Sequence, residues 1–311
     1  MWRYIIKRIV ILIPLIFLVS FIVYALMDAA PGDPVRALVG ENMTDEQIEQ
    51  KREELGYNDP LIQRYLRYIG GVLRGDFGKS LYGEKDVLGE YMNRLPYSLK
   101  LALVSIVFTL LVSLPFGILA AVRQNTWIDN ALSGLAMIGL SVPGFWLGLM
   151  LILLFAQKLG WFPTFGAQEG FLSYVLPAVT LGVANASLLT RMTRSSMLDT
   201  IRQDYLRTVR AKGVDERHVI LGHALKNALV PIVTIAGSQF SGLIGGAIVV
   251  ENVFTWPGIG TLTITAIRQH DVNLATGCAI LTTVLTAVIL LLVDILYAYI
   301  DPRIKAQYSG R

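Results

Sequence analysis

The chain contains six apolar runs, and each is long enough to cross a lipid bilayer as a helix. A transmembrane helix needs about 20 predominantly apolar residues, because the hydrocarbon core of a bilayer is about 30 Å thick. The pattern therefore predicts an all-α integral membrane protein with six transmembrane helices. Their predicted bounds are 9–27, 99–122, 130–156, 173–189, 229–250 and 275–300.

The first apolar run follows a basic start that contains Arg3, Lys7 and Arg8. Secretory signal peptides also begin in this way, but their apolar part covers only about 7–15 residues. The run here is longer, and Asp28 at its end makes a poor cleavage site. We therefore predict an uncleaved first transmembrane helix with its N-terminus in the cytoplasm.

A polar insert over residues 30–97 separates the first two apolar runs, and at this length it is too long for a simple connector. Thr44 and Gln47 form the pattern of a capping box, and Gly56 would end that helix. Pro60 would begin a second helix, and Asp86 can cap a third. The insert is thus predicted to be a small helical domain outside the cytoplasm. The predicted apolar face of its second helix consists of Ile62, Leu66, Ile69 and Leu73.

The most basic stretch between apolar runs covers residues 191–231, with eight Lys or Arg residues against four acidic ones. Loops rich in Lys and Arg stay in the cytoplasm, so this stretch is predicted to be cytoplasmic. With six spans, both termini are then cytoplasmic, and fifteen of the 27 Lys and Arg residues lie on that side.

Within this basic stretch the pattern predicts two short helices joined at Gly213. An apolar stripe on the first helix consists of Leu198, Ile201, Tyr205 and Val209. Gly213 suits a left-handed helix end and Asp215 can cap the second helix. Pro231 would mark the return into the membrane. An exposed stripe of this kind fits a partner groove or the lipid headgroup layer, whereas a solvated loop that only sets topology is the alternative.

Composition agrees with a membrane protein and argues against several kinds of chemistry. The chain is 54% hydrophobic and only 16% charged, and its net charge of +4 comes from residues that flank the apolar runs, which does not indicate nucleic-acid binding. A single cysteine, Cys278, excludes an internal disulfide, and the three histidines share no metal-ligand spacing. We predict no metal site and no catalytic residues on this chain.

Few groups inside the spans could carry chemistry. Asp294 is the one carboxylate assigned to a span, and it could pair with Arg303 or Arg191 or belong to an ion pathway. Gly237, Ser241 and Gly245 recur every fourth residue, as in helices that approach closely or slide on one another. An ion-coupled secondary transporter or an intramembrane enzyme would need more buried charges or a catalytic pair.

Several separated motifs carry a resemblance to a known family. The run 207–213 (RTVRAKG), followed by His223, Asn227 and Pro231, resembles the coupling loop of ABC importer permeases. The usual signature is Glu-Ala-Ala, three residues, then Gly; here Arg207, Thr208 and Val209 replace its first three positions. Further motifs similar to the dipeptide/oligopeptide branch are LG at 55–56, GDFGKS at 75–80, RLPYSL at 94–99, SVPGFW at 141–146, GWFP at 160–163, ENVFTWPGIG at 251–260 and DPRI at 301–304.

The resemblance implies a permease subunit of an ATP-driven importer in a bacterial or archaeal cell membrane, the first of a pair and the one with the long insert. Its implied partners are a homologous second permease, two ABC ATPase subunits, an extracytoplasmic substrate-binding protein and membrane lipid. ATP and Mg²⁺ would bind to the ATPase subunits, since this chain contains no Walker A motif. Di- or oligopeptides are the expected substrates; nickel and glutathione, which other permeases of this branch transport, are the alternatives.

The resemblance also assigns roles along the chain. The implied division is a first transmembrane helix at 1–29, the insert at 30–97, a five-helix permease core at 98–300 and a cytoplasmic tail at 301–311. An outer gate loop would contain Glu251, Phe254, Trp256 and Pro257. Polar residues within or at the spans, chosen only for their polarity, are the candidates for the translocation path: Asn185, Gln239 and Ser141. The implied ATPase-coupling residues are Tyr205, Arg207, Thr208, Val209, Arg210, Ala211, Lys212, Gly213, Arg217, His223, Asn227 and Pro231.

Overall fold

The computed structural model describes residues 2–31, 34–39 and 44–300. These residues are almost entirely helical, with one isolated antiparallel bridge between Lys79 and Asp86. A π-helical segment, Ile152–Lys158, continues α7, and another, Val219–Ala224, precedes α11. The α-helices are α1 Trp2–Ala29, α2 Pro34–Val39, α3 Asp45–Glu54, α4 Leu61–Val72, α5 Val87–Val122, α6 Trp127–Ser141, α7 Gly144–Leu151, α8 Leu172–Ile201, α9 Asp204–Ala211, α10 Glu216–His218, α11 Leu225–Gly246, α12 Ile248–Val253, α13 Ile259–Arg268 and α14 Val272–Ile300.

Six candidate membrane spans confirm the predicted all-α membrane architecture. Five continuous stretches are long and apolar enough to cross a membrane, and α6 with α7 forms a sixth, bent span. The predicted tail at 301–311, which includes Arg303, lies outside the described residues. The continuous spans are Val10–Ala29, Val87–Val122, Leu172–Ile201, Glu216–Gly245 and Val272–Ile295.

The third span is not the single straight helix predicted over 130–156. Helices α6 and α7 meet at an angle of 99° across the break between Ser141 and Gly144. Pro143 lacks the N–H that would continue the helix, and it disfavours helical geometry at Val142, which is extended (φ −78°, ψ 123°). Apolar periodicity alone does not reveal this bend.

The helices of the basic stretch also differ from the prediction. Helix α8 extends to Ile201, so Leu198 and Ile201 belong to α8, whereas Tyr205 and Val209 belong to α9. Gln203 between them is extended (φ −76°, ψ 145°), which breaks the predicted stripe. The second helix continues through the π-helical segment into α11, which contains Pro231.

The described chain forms two compact units. One contains residues 2–98 and 257–287, and the other contains residues 99–256 and the residues from Val288 onward. Helices α5 and α14 each contribute their first part to the one unit and their second part to the other. The permease core predicted for 98–300 is therefore divided between the units, and its boundary with the insert falls within α5.

In the unit of residues 2–98 and 257–287, Tyr65 attaches the insert to the first span. Its hydroxyl donates to the Phe17 carbonyl (3.1 Å) and forms a hydrogen bond with Ser20 (2.9 Å), and its ring packs edge-on against Phe21. The buried face of α4 therefore contains Tyr65 and Ile69. Of the predicted apolar face only Ile69 is buried, because the larger tyrosine ring takes the contact with α1. The remaining three residues, Ile62, Leu66 and Leu73, are exposed.

A buried carboxylate, Asp271, fastens the loop at 79–82 to the start of α14 in the same unit. Its Oδ2 accepts hydrogen bonds from the Ser80 hydroxyl (2.5 Å) and the Leu81 N–H (2.9 Å), and its Oδ1 accepts from the Leu274 N–H (3.0 Å). Burial raises the pKa of the Asp271 carboxyl, and these donors offset only part of that rise. The segment GDFGKS is thus joined to the helix that begins at Val272.

Several local signals in the sequence are confirmed. Thr44 and Gln47 make both hydrogen bonds of a capping box at the start of α3. Asp86 accepts from the Gly89 N–H (2.7 Å) and so caps the helix that becomes the second span. Asp215 accepts from the Arg217 N–H (3.1 Å) at the start of α10. Each cap satisfies a backbone donor that the first turn of a helix leaves without a partner.

In the unit of residues 99–256 and beyond 287, α8 packs closely against α5 and α6 through small residues. A side chain at Gly117 or Gly182 of α5 and α8 would come within 3.0 Å of the opposite helix, and one at Gly139 of α6 would do the same. The Thr109 hydroxyl donates to the Gly182 carbonyl (3.3 Å). Small residues let helix backbones approach in this way. Contacts of α5 and α8 advance in the same direction along both helices, so the second and fourth spans are parallel.

Asp129 and Arg194 form an ion pair that joins the start of α6 to α8. The guanidinium donates to both carboxylate oxygens (2.6 and 2.7 Å), and the Asn125 N–H donates to the same carboxylate (3.0 Å). The Asp129 side chain is only 3% exposed and that of Arg194 is 29% exposed. A bidentate pair with this burial fixes the relative position of the two helices.

We expect Asp129→Asn to lower the stability of the purified protein. The change leaves the Arg194 charge without its counter-ion, and breaking a buried pair from one side costs about 3–5 kcal/mol. Thermal unfolding followed by loss of monodisperse protein measures the effect. Asp199→Asn is the matched control, because it neutralises an exposed carboxylate on α8, the helix that carries Arg194. Equal melting temperatures for the two variants would contradict this role.

We also expect Gly117→Ala to destabilise the protein, whereas Gly134→Ala does not. A Cβ at Gly117 would lie 2.5 Å from the Thr193 Cβ and 2.8 Å from the Thr190 carbonyl oxygen, which belongs to the backbone. Overpacking of this kind costs about 1–3 kcal/mol. A Cβ at Gly134 meets nothing within 4 Å. A lower melting temperature for Gly134→Ala than for Gly117→Ala would show that close helix approach is not the reason.

Candidate coupling and translocation sites

Helix α9 lies between two turns that separate it from the long helices on either side. Gln203 is extended and separates α9 from α8. On the other side of α9, Gly213 lies in the left-handed region (φ +77°). The Gly213 N–H donates to the Arg210 carbonyl (2.9 Å). Left-handed backbone is strained for most other residues, so the predicted helix end at Gly213 has a conformational reason.

One side of α9 is anchored by burial. Leu206 is fully buried, and α9 packs against the π-helical segment 219–224. In that segment Val219 and Ala224 are also fully buried, and Ile220 nearly so. Leu206 was absent from the predicted apolar stripe, because that stripe assumed one helix running through residues 202–203.

A hydrogen-bond cluster joins α9 to the start of α11. The Asn227 side-chain amide donates to the Tyr205 hydroxyl (2.7 Å) and to the His223 carbonyl (3.3 Å). The Tyr205 hydroxyl in turn donates to the same carbonyl (3.4 Å). The structure thus brings together three residues of the predicted coupling set, with His223 contributing its backbone.

An ion pair spans the turn around Gly213. The Arg210 guanidinium donates to both oxygens of Glu216, at 3.0 and 2.8 Å. These hydrogen bonds raise the pKa of the guanidinium, so Arg210 stays charged. The pair is largely solvated and adds little stability, but its bidentate geometry holds α9 and α10 at a defined angle.

The residues of the predicted coupling set differ in their exposure. Tyr205, Val209 and Arg210 are half-buried. The outward surface is basic and carries few apolar groups, so it suits a polar or acidic partner surface better than lipid. The exposed members of the set are Arg207, Thr208, Ala211, Lys212, Gly213, Arg217, His223, Asn227 and Pro231.

Two of the three candidates for the translocation path lie in contact where α8 and α11 pack together. The Gln239 amide donates to the Asn185 carbonyl (3.1 Å), and the Asn185 side chain donates to the Leu181 carbonyl of its own helix (2.8 Å). Among the described residues, the buried Gln239 Oε1 has no hydrogen-bond donor. This polar junction within the spans has an acceptor available to a further group.

The third candidate, Ser141, lies elsewhere in the span. It is exposed at the bend between α6 and α7, and its hydroxyl donates to the Met137 carbonyl one turn earlier (2.9 Å). No hydrogen bond among the described residues joins it to Asn185 or Gln239. Polarity alone therefore selected residues from two separate places.

The predicted outer gate segment contains tightly packed residues. Phe254 belongs to a buried cluster with Ile152, Ala156, Leu176 and Val250. Its carbonyl accepts from the Gly166 N–H (2.9 Å), which ties the segment to the loop that precedes α8. The backbone around Phe254 is thus held from two sides.

Trp256 is fully buried beside Leu101 and Ala178, with Tyr174 packed edge-on at 4.6 Å between ring centroids. The backbone N–H of Trp256 donates to the Glu251 carbonyl (2.7 Å), and Glu251 is fully buried in the short helix α12. Pro257 precedes α13, a helix that the sequence pattern did not predict. Phe254 and Trp256 hold this segment in place through their side chains.

Sequence reasoning missed Asp129, although it is the buried partner of Arg194. The third span was predicted to begin at residue 130, which left Asp129 outside the membrane segment. A carboxylate in the first turn of a span was the available signal, because a charge at that depth generally has a counter-ion.

Comparison with known proteins supplies the family. The family described as binding-protein-dependent transport system inner membrane component matches residues 113–306, and its N-terminal counterpart matches residues 1–102. The oligopeptide transport system permease protein AppB of Bacillus subtilis (strain 168) is 41% identical over 315 residues, covering 98% of this chain and all of AppB. The glutathione transport system permease protein GsiC of Escherichia coli (strain K12) is 41% identical over 305 residues, covering 98% of this chain and 99% of GsiC.

Solved structures share the fold. A chain of the MetNI methionine ABC transporter in an inward-facing conformation matches with a TM-score of 0.59 and 21% identity, covering 69% of this chain and 97% of that chain. A second crystal form of the same transporter gives a TM-score of 0.60 and 20% identity, with 68% of this chain and 96% of that chain covered. At these identities the likeness concerns the fold alone.

Family matches over nearly the whole chain, full-length relatives and the candidate membrane spans thus agree with one another. The chain belongs to the inner membrane components of binding-protein-dependent transport systems, and it is a permease subunit of an ABC importer.

Proposed function

We propose that this permease takes up di- and oligopeptides through a path that it forms with a homologous second permease. AppB and GsiC are equally similar to this chain, and one is named for oligopeptides and the other for glutathione. Glutathione is itself a tripeptide, so both names support peptides as the substrate class. Glutathione is the second candidate within that class.

The proposed orientation places both termini and the segment 191–231 in the cytoplasm. The excess of Lys and Arg in this segment supports it, because such residues are retained on the inner side. The insert then lies on the outer side, with Tyr65 of α4 packed against the first span at Phe17 and Ser20. Its exposed apolar residues Ile62, Leu66 and Leu73 offer a surface on which an extracytoplasmic substrate-binding protein could sit.

The observation that carries the coupling proposal is the position of α9. It is anchored on its inner side by Leu206 and by the Tyr205–Asn227 hydrogen bond, yet its outer side is free of other described residues. Such a helix can receive a force on one face and pass it to the long helices on the other. We infer that ATPase subunits, which would bind ATP and Mg²⁺, dock on this face.

Movement of α9 would reach the membrane through α11 and α8. Helix α11 follows directly after the π-helical segment that packs against α9. Two residues separate the end of α8 from α9. The hydrogen bond between Gln239 and Asn185 connects the two helices within the spans. We infer that they move together and that this polar junction of Gln239 and Asn185 lies beside the path. The Glu251–Pro257 segment would close its outer end.

Reconstitution with the partner subunits tests the substrate class. In proteoliposomes we expect uptake of a labelled tripeptide that requires ATP at the cytoplasmic face and the binding protein at the other. Excess unlabelled peptide should suppress this uptake, whereas excess Ni²⁺ should not. Uptake driven by an ion gradient without ATP would contradict an ATP-driven mechanism. Suppression by glutathione but not by other peptides would restrict the substrate to glutathione.

Substitution at Gly213 tests the coupling face. Valine is strained at φ +77° by roughly 1–2 kcal/mol, so Gly213→Val should change the angle after α9 and lower ATP-dependent uptake by about tenfold. A Cβ at Gly213 meets nothing within 4 Å, so steric contact inside the chain plays no part.

Gly213→Asn is the matched control, because asparagine tolerates the left-handed region better than other side chains. We expect it to retain most of the uptake and to co-purify with the ATPase subunits. Equal losses in both variants would indicate that the exposed surface, and not the backbone angle, is what matters at this position. Full activity in both would contradict the coupling role.

A further inference from the structure

Helix α13 is fastened near both of its ends to the stretch of chain that leads from the insert into the second span. At its start, the Ile259 N–H donates to the buried Ser98 hydroxyl (2.9 Å). Just past its end, the Gln269 carbonyl accepts from the Tyr82 hydroxyl (3.0 Å). Both contacts lie within one compact unit of the chain. The position of α13 therefore depends on the segment between Tyr82 and Ser98.

A buried carboxylate reinforces the second of these contacts. Asp271 is fully buried at the turn between α13 and α14, and Ser80 is almost fully buried beside it. The Asp271 carboxylate accepts from the Ser80 hydroxyl (2.5 Å) and from the Leu81 N–H (2.9 Å). Hydrogen bonds to a charged group are about twice as strong as those between neutral groups. The loop of the insert is thus bound to this turn by side-chain and backbone groups together.

We call the contacts between residues 79–82 and residues 269–274 the clasp. Besides the bonds of Asp271, the clasp contains the Asn273 side-chain amide, which donates to the Lys79 carbonyl (3.1 Å). Opening the clasp would leave the buried carboxylate without these donors, and a buried polar group without partners is costly. The loop and the turn are therefore expected to stay joined while the transporter works.

The start of α14 is attached to the start of α5, which follows the clasp loop in the chain. Val87 is fully buried, and a Cβ at Gly277 would lie only 2.5 Å from the Val87 Cγ1. One turn further along α5, the Tyr91 hydroxyl forms a hydrogen bond with the Thr282 hydroxyl (3.2 Å). Close packing of this kind transmits displacement instead of absorbing it. The clasp loop, α13 and the first part of α14 thus form one packed body.

The proposed function gives the two sides of the clasp different tasks. The insert would receive the binding protein on the exposed apolar residues of α4. Helix α13 begins two residues after Pro257, the end of the segment that would close the outer end of the path. A displacement of the insert reaches α13 through the clasp, because both the loop and the turn contribute backbone groups to it.

We propose that Asp271 is a positioning residue for transport. Through Ser80 and Leu81 it makes the insert and α13 move as one body, so that docking of the peptide-loaded binding protein on the insert shifts the outer end of the path. This inference rests on the proposed function, which supplies the binding protein and the gate. Asp271 acts through the loop that it holds and has no contact with the peptide in this role.

Hydrogen exchange of the assembled transporter in nanodiscs tests the clasp itself. Asp271→Asn keeps the shape of the side chain but removes its charge and one acceptor oxygen. Exchange of the Leu81 amide should become about tenfold faster, the effect of losing one hydrogen bond to a charged group. A peptide that covers residues 79–82 reports this change. Exchange at the wild-type rate would overturn the proposal.

Asp86→Asn is the matched control for hydrogen exchange. The Asp86 carboxylate is exposed near the same loop and accepts from the Gly89 N–H (2.7 Å) at the start of α5. Asparagine caps a helix about as well as aspartate does, so this variant removes a charge and keeps the cap. We expect exchange at residues 79–82 to stay at the wild-type rate. Equally fast exchange in Asp86→Asn and Asp271→Asn would overturn a specific role of the buried carboxylate.

Peptide uptake into proteoliposomes tests what the clasp transmits. At saturating binding protein, Asp271→Asn should lower the maximal ATP-dependent uptake about fivefold, the lower end of the couplings found between separate sites. The binding-protein concentration that gives half-maximal uptake should not change, since the docking residues on α4 are intact. ATP hydrolysis without the binding protein should also stay the same, because the substitution does not touch the coupling segment.

Tyr82→Phe is a second variant that disturbs only the edge of the clasp. It removes the hydroxyl that donates to the Gln269 carbonyl and keeps the ring, so the fold is retained even where Asp271→Asn does not yield folded protein. We expect a smaller loss of maximal uptake, again with an unchanged half-saturating concentration. Wild-type maximal uptake in both variants would overturn the proposal.

Two further outcomes would also overturn the positioning role. A higher half-saturating concentration with the same maximal uptake would make the clasp part of the docking surface. A parallel loss of uptake and of ATP hydrolysis without the binding protein would show that Asp271 only supports the fold.

The wild-type protein separates this inference from the proposed function. Wild-type uptake that requires neither ATP nor the binding protein contradicts the proposed function, whatever hydrogen exchange shows at the clasp. Wild-type uptake that requires both, together with full maximal uptake in Asp271→Asn and Tyr82→Phe, leaves the function in place and removes the positioning role.

Discussion

The close approach of α8 to its neighbours sets the positions of the candidate site residues in the unit that contains residues 99–256. Gly182 and Gly139 lie where a side chain would overlap Phe108 or Ser187 of the facing helix, so the helices can only pack as they do with no Cβ at these points. Lipid provides no hydrophobic driving force between helices, and dispersion contacts at short range must hold them instead. The Asp129–Arg194 pair then fixes α6 along the axis of α8, a direction in which small-residue packing alone allows sliding.

The same helix explains why the candidate coupling segment has a defined helical structure. Helix α8 is continuous to Ile201, and α9 follows after two residues, of which Gln203 is extended. Burial of Leu206 and the hydrogen bond from Asn227 to Tyr205 hold α9 against the start of α11. A helix with attachments of this kind transmits displacement because its packed interface is stiff, whereas a solvated loop would absorb the displacement.

The sequence predicted features that depend on neighbours in the chain and failed on those that depend on tertiary contacts. The caps at Thr44, Asp86 and Asp215 were found because a side chain bonds a backbone group within three residues. The six spans were found because length and apolarity suffice to identify them. The prediction of the buried face of α4 was wrong, because Tyr65 is buried through its contact with α1, which lies far away in the sequence. The bend at Pro143 was missed because a proline is often tolerated within a membrane helix, as Pro14, Pro177 and Pro231 are.

The candidate site residues differ in how well the sequence identified neighbours in space. Tyr205, His223 and Asn227 were selected by resemblance, and the structure joins them in one cluster, whereas Asn185, Gln239 and Ser141 were selected by polarity and only two of them meet. Asp129 escaped notice because the predicted span began one residue too late. Its pairing with Arg194 links the start of α6 to α8, a contact that the apolar pattern of neither span predicts. The charge count of the basic stretch could not distinguish a paired, partly buried arginine such as Arg194 from an exposed one such as Arg191.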